Sequence, residues 1–160
     1  MKNLLTIMIL LGAVLFAAIP VQAQEKPIQV ALFSPVQIFP ESESIAGLRI
    51  NLLYGNNEAM TGLDWGLVSR TLGEFQGVQL GAVGIVEGDA TGIQSNLASI
   101  THGTFTGIQY SAFNLTDHAV GLQIGLLNTT ETMQGLQIGL LNFIGDGGFL
   151  PFFPFINGSF

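Results

Sequence analysis

Residues 121–142 read GLQIGLLNTTETMQGLQIGLLN, so the octapeptide GLQIGLLN opens at Gly121 and again at Gly135, fourteen residues later. The same phrase, with variations, opens at Gly47, Gly62, Gly77, Gly92 and Gly107, at steps of fifteen. Its forms are GLRINLLY, GLDWGLVS, GVQLGAVG, GIQSNLAS and GIQYSAFN. Between the phrases lie turn-forming clusters such as Gly55-Asn56-Asn57-Glu58, Glu87-Gly88-Asp89 and Gly145-Asp146-Gly147. Glycine, asparagine and aspartate close tight turns because they tolerate the backbone conformations that turns require. Between turns the residues alternate with period two, which is the signature of a β-strand. Glycine recurring every few residues argues against helix, where it is costly. The chain is therefore all-β, built from strand-turn repeats of 14–15 residues.

Two architectures accommodate such a unit. One is an antiparallel meander, which can close into a barrel. The other is a parallel β-solenoid with one coil per repeat. Folding the quoted stretch as a hairpin about Glu131 places Leu122 opposite Leu140, Ile124 opposite Ile138 and Leu126 opposite Leu136. On the other face Gln123 meets Gly139 and Gly125 meets Gln137, a match of large against small. Cross-strand pairs of this kind stabilise a sheet by ~0.2–1 kcal/mol each. This match favours the meander, and strands beginning near residues 45, 60, 74, 89, 105, 119, 133 and 149 give an even count of eight, suited to a small closed barrel. The parallel solenoid is the alternative.

The chain divides into three. Residues 1–23 carry a basic start, an apolar run and Val21-Gln22-Ala23, and read as a cleavable secretory signal that leaves Gln24 first. Residues 24–44 form an extended segment, an edge strand, lid or plug, interrupted by Pro35 and Pro40. Residues 45–160 are the repeat domain, ending in a strand broken by Pro151 and Pro154.

Within the repeats, one face carries Leu48, Ile50, Leu63, Trp65, Leu122 and Ile124 and bears no charge. The other carries Arg49, Asp64, Gln79, Gln94, Gln109, Gln123 and Gln137. A lipid-facing band around a polar lumen has this pattern. So does an apolar core with a wet glutamine face. Arg49 and Asp64 are diagonal neighbours in the meander, within reach of an ion pair. In the meander, Glu58, Glu87, Asp89, Asp117 and Asp146 form one acidic rim, and Arg70, Glu74, His102, Thr104 and Glu131 the other. In the solenoid all of them share one edge.

Only 9% of residues are charged, against about 25% in soluble domains, which points to a chain that meets little water. Eleven acids against four bases exclude a basic nucleic-acid footprint. With no cysteine there is no disulfide, thiolate nucleophile or lipid-bearing Cys. His102 and His118 are turn residues, too few for a metal site of three or four ligands. Asn114, Asn128 and Asn157 fit the glycosylation pattern, as a repeat made of Asn, Thr and Ser does by chance. No catalytic, cofactor-binding or metal-binding residue is assigned, and the chain is read as non-enzymatic.

The repeat phrase and the ending LPFFPFINGSF, residues 150–160, resemble a family of exported bacterial surface-repeat proteins. Members carry G-[LVI]-Q-[IL]-G-x-[LV]-N units and a closing FPxxN…F segment. The resemblance implies an exported protein of the outer membrane or cell surface, with the periplasm as the alternative, and supplies no catalytic residues. The expected role is structural or interactive, with a membrane or envelope component as partner. The other function is a small barrel holding a lipid or another apolar ligand. Self-association is a further expected contact. Arg49 and Asp64, which stand where the phrase has glutamine, depart from the family pattern, as do Ser95-Asn96 and Tyr110-Ser111.

Overall fold

The computed structural model describes residues 25–160, and the proposed signal, 1–23, lies outside them. The strands are β1 (Lys26–Phe33), β2 (Val36–Gln37), β3 (Ile45–Asn57), β4 (Met60–Thr71), β5 (Phe75–Val86), β6 (Ala90–Ser95), β7 (Ala98–Tyr110), β8 (Phe113–Asp146) and β9 (Phe152–Ser159). Among the described residues there is no helix.

The strands from β3 to β8 pair in parallel and in register, each residue beside its equivalent one repeat away. Gly47 pairs with Gly62, Gly62 with Gly77, and so on to Gly107 with Gly121. This is a parallel β-solenoid, one coil per repeat. The antiparallel barrel is overturned, and so are its hairpin pairs: Leu122 lies beside Ile108, and Ile124 beside Tyr110. Every coil repeats its neighbour by translation, so each side chain stacks on its own counterpart. That is the reason the phrase is copied so closely.

The anchor glycines hold the coil shape. All seven have φ between +120° and +146°, a backbone region that L side chains rarely adopt. A Cβ at any of them would collide with a backbone carbonyl oxygen of the preceding coil.

Each coil has two short sheet segments facing each other across the interior, as Met60–Gly66 and Val68–Thr71 do in β4. Large-against-small matching is real, but it operates across this interior. Gly84 faces Gln79 and Asn96, and Gly125 faces Asn114 and Asn128. The meander had assigned the same complementarity to neighbouring strands.

The turns stack on one edge. Gly73 N donates to Glu58 O at 2.7 Å and Gly88 N to Gly73 O at 3.2 Å. The two-rim arrangement is thereby corrected: its acidic and neutral turns lie together. Behind this edge an apolar ladder, Ile45, Met60, Phe75, Ala90 and Phe105, packs with Val86, and continues through Ala119, Met133 and Ile144. Two caps close the ends. β1 pairs in parallel with β3 and antiparallel with β2, and β9 runs antiparallel along the last coil.

Candidate functional surface

The interior is polar. Gln79, Gln94, Gln109, Gln123 and Gln137 are fully or almost fully buried and form one hydrogen-bonded ladder. Gln94 Nε2 donates to Gln79 Oε1 (3.1 Å), Gln109 to Gln94 (2.8 Å), Gln123 to Gln109 (2.7 Å) and Gln137 to Gln123 (2.8 Å). Glutamine suits the position because its amide carries both donors and an acceptor, so it can bond to copies of itself above and below. At the N-terminal end the ladder meets a charge. Gln79 Nε2 donates to Asp64 Oδ2 at 3.0 Å, and Arg49 holds Asp64 with two bonds, Nε to Oδ1 at 2.9 Å and Nη2 to Oδ2 at 2.8 Å. Both partners of the expected ion pair are completely buried.

An asparagine ladder faces it from the second sheet. Asn114 Nδ2 donates to Asn128 Oδ1 (2.7 Å), and Asn128 Nδ2 to Asn142 Oδ1 (2.8 Å). These amides point toward the C-terminus and the glutamines toward the N-terminus, so the two rows of dipoles run antiparallel. Asn114, Asn128 and Asn157 are buried with their amide nitrogens bonded, which leaves none of the three open to glycosylation.

With the glutamine, asparagine and inner glycine positions turned inward, the positions that alternate with them must point out, and they are mostly aliphatic or aromatic. Among the described residues, twenty-three polar or charged residues are buried against eleven apolar ones, four of which are alanine. Trp65 is 56% exposed, Leu97 58%, Tyr110 61% and Leu140 56%. The expectation of a wet glutamine face over an apolar core is therefore reversed. The expectation of an apolar exterior holds, around a filled polar core in place of a barrel lumen.

Polarity is graded along the first sheet of each coil, whereas on the second sheet Ile85, Ile100 and Leu115 carry the apolar surface up to the turn edge. Charge sits on the turn edge, with Glu58, Glu74, Asp89 and Glu131 exposed or partly so. Next comes an uncharged polar column, Gln76, Thr91 and Thr106, each paired with the next. Then follow the columns through Leu63 and Trp65, and last the corner opposite the turns, with Leu67, Leu97, Leu126 and Leu140. On the second sheet Val68, Val83, Ala98 and Phe113 form another apolar column.

The charged edge makes its own contacts. Arg70 pairs with Glu87 at 2.8 Å, and His102 Nε2 lies 3.9 Å from the same carboxylate. Hydrogen bonds to Glu87 and then Tyr54 raise the Arg70 pKa, so this guanidinium stays charged. Asp89 Oδ1 accepts from Thr104 N at 2.7 Å, and His118 Nδ1 meets Thr132 Oγ1 at 2.8 Å. The two histidines thus share an edge and contact different partners. Sequence reasoning separated the aliphatic columns from the glutamine column, left open which of them points outward, and missed that the apolar surface extends over two sheets and a corner. No family model, curated protein or solved structure matches this chain.

Proposed function

We propose that the chain is a non-enzymatic, exported protein of the bacterial envelope or cell surface, and that its working part is the apolar exterior of the solenoid. One observation carries this reading: the inversion of polarity, with amides and an ion pair inside and large apolar side chains outside. A soluble monomer rarely exposes a contiguous apolar patch beyond a few hundred Å², and larger ones mark contact with lipid or protein. The resemblance of the repeat phrase to exported surface-repeat proteins points the same way. The lipid-binding barrel falls with the barrel itself.

Cell fractionation tests the proposal. The protein is expected in the envelope fraction and should remain there through a high-salt wash, because the surface that holds it is uncharged. Recovery as a free, monomeric protein in the soluble fraction would refute it.

A further inference from the structure

We infer that the solenoid lies edge-on in a single leaflet of a lipid bilayer, its leucine corner in the hydrocarbon and its turn edge among the headgroups. This rests on the envelope reading above and names the partner of that surface.

Four features select lipid as the occupant. The first is depth. From the Leu48 column to the Leu52 corner is four residue steps, ~13 Å at ~3.3 Å each. That is close to half of a ~30 Å hydrocarbon core and far short of all of it. The second is the order of polarity. On the first sheet, charged turns, then a Thr/Gln column, then aliphatic columns follow the sequence of environments from water through headgroups to acyl chains.

The third is the state of the corner backbone. Hydrocarbon offers no hydrogen bonds, so peptide groups immersed in it must be satisfied internally. Leu126 N and Leu127 N both donate to Ala112 O, at 2.9 and 3.0 Å. The buried asparagines reach out to the same region from inside. Asn114 Nδ2 donates to Ile124 O (3.0 Å), Asn128 Nδ2 to Ile138 O (3.0 Å) and Asn142 Nδ2 to Gly139 O (3.0 Å). The interior amides thus supply to the corner what water would supply elsewhere.

The fourth is coverage. Seven coils at ~4.8 Å by ~13 Å give one apolar face on the order of 450 Å², against about 800 Å² per partner in a standard interface. A second copy docked on one face would also leave the other face and the corner in water. A leaflet covers all three at once. The turn edge carries an excess of carboxylates, with Arg70 already paired to Glu87. Charge complementarity therefore selects a zwitterionic surface over an anionic one.

The test uses the protein as the cell processes it, with vesicles of phosphatidylcholine. Trp65 is the sole tryptophan and lies exposed on the apolar face, so it reports directly. The protein should float with the vesicles, and bromines on the acyl chains should quench Trp65. Replacing most of the phosphatidylcholine with phosphatidylglycerol should weaken binding at low salt, and added salt should restore it. Leu97→Asp with Leu126→Asp should lower the bound fraction at least tenfold, while Glu131→Gln leaves it unchanged. Both leucines are exposed, so unchanged circular dichroism should accompany the loss. Flotation without quenching of Trp65, or binding indifferent to the two aspartates, would overturn the inference. So would failure to bind vesicles by a protein that still fractionates with the envelope; that outcome would leave the envelope reading standing. A soluble protein in cells would sink both.

Discussion

Gln79 Nε2 donates to Asp64 Oδ2 across 3.0 Å, and this bond orients the glutamine ladder beyond it. A carboxylate only accepts, so Gln79 must turn its nitrogen toward Asp64 and its oxygen toward Gln94. Gln94 must then do the same, and the polarity passes to Gln137. Asp64 also accepts from Arg49, from Ser69 Oγ at 3.1 Å and from Asn51 Nδ2 at 3.3 Å. One buried charge thus gathers four neighbours and fixes the direction of a row of amides five coils long.

Asp64→Asn should be strongly destabilising. In either orientation the amide places a nitrogen against Arg49, and in one of them against Gln79 as well, and it leaves the Arg49 charge buried without its counter-ion. Breaking a buried pair from one side costs about 3–5 kcal/mol. Replacing Arg49 and Asp64 together by glutamine extends the ladder downward and removes both charges. Urea unfolding should find the double variant more stable than Asp64→Asn, and equal midpoints would contradict the assignment.

Inside and outside positions of one coil should respond oppositely to the same kind of change. Gln109→Leu leaves Gln123 Nε2 and Thr116 Oγ1 without their acceptor, and Gln94 Oε1 without its 2.8 Å donor. At ~1–3 kcal/mol for each unsatisfied buried group, the loss should reach about 3 kcal/mol or more. In the lipid-free protein the neighbouring Ile108→Gln puts an amide into water on the outer face and should cost under ~1 kcal/mol, as surface changes do. In a protein with an ordinary apolar core the two results would be exchanged.

Gly107→Ala tests the coil geometry. At φ +136° a Cβ would meet the carbonyl of Gly92. Strain of this kind costs about 1–3 kcal/mol before the steric clash is added. Gly73→Ala is the control, because its Cβ would lie 3.1 Å from Glu58 O with no left-handed φ to relieve. The first should lower the thermal midpoint by several degrees more than the second.

Much of this was legible in the residues. The strand-turn unit and the positions of the turns follow from alternation and spacing; the Arg49–Asp64 pair was expected as diagonal neighbours of a meander and forms instead between direct neighbours in parallel strands. Strand direction does not, because period-two alternation is the same whether the next strand returns or begins again in parallel. Large-against-small matching at Gly125 was visible, but its partner lies across the coil at Asn128, a relation that a linear comparison of adjacent strands does not contain. Alternation also separates two faces without saying which is buried. The signal for that was chemical. Gln79, Gln94 and Gln109 recur at one position, and glutamine is among the few side chains that can satisfy itself by stacking. Charge disappears from that column beyond Asp64, as it must in a buried row.

A distance between nitroxide labels at positions 91 and 106 tests the solenoid most directly. Thr91 and Thr106 pair in adjacent parallel strands, and both are exposed, so labels fit without disturbing the interior. The solenoid places the two backbones ~5 Å apart, the spacing of neighbouring strands, and predicts strong dipolar broadening of the continuous-wave spectrum. A meander turning at His102-Gly103 sets them eight residue steps apart along the strand axis, ~26 Å at ~3.3 Å per step. An unbroadened spectrum with a separation near that length would contradict the solenoid and the inverted interior built on it.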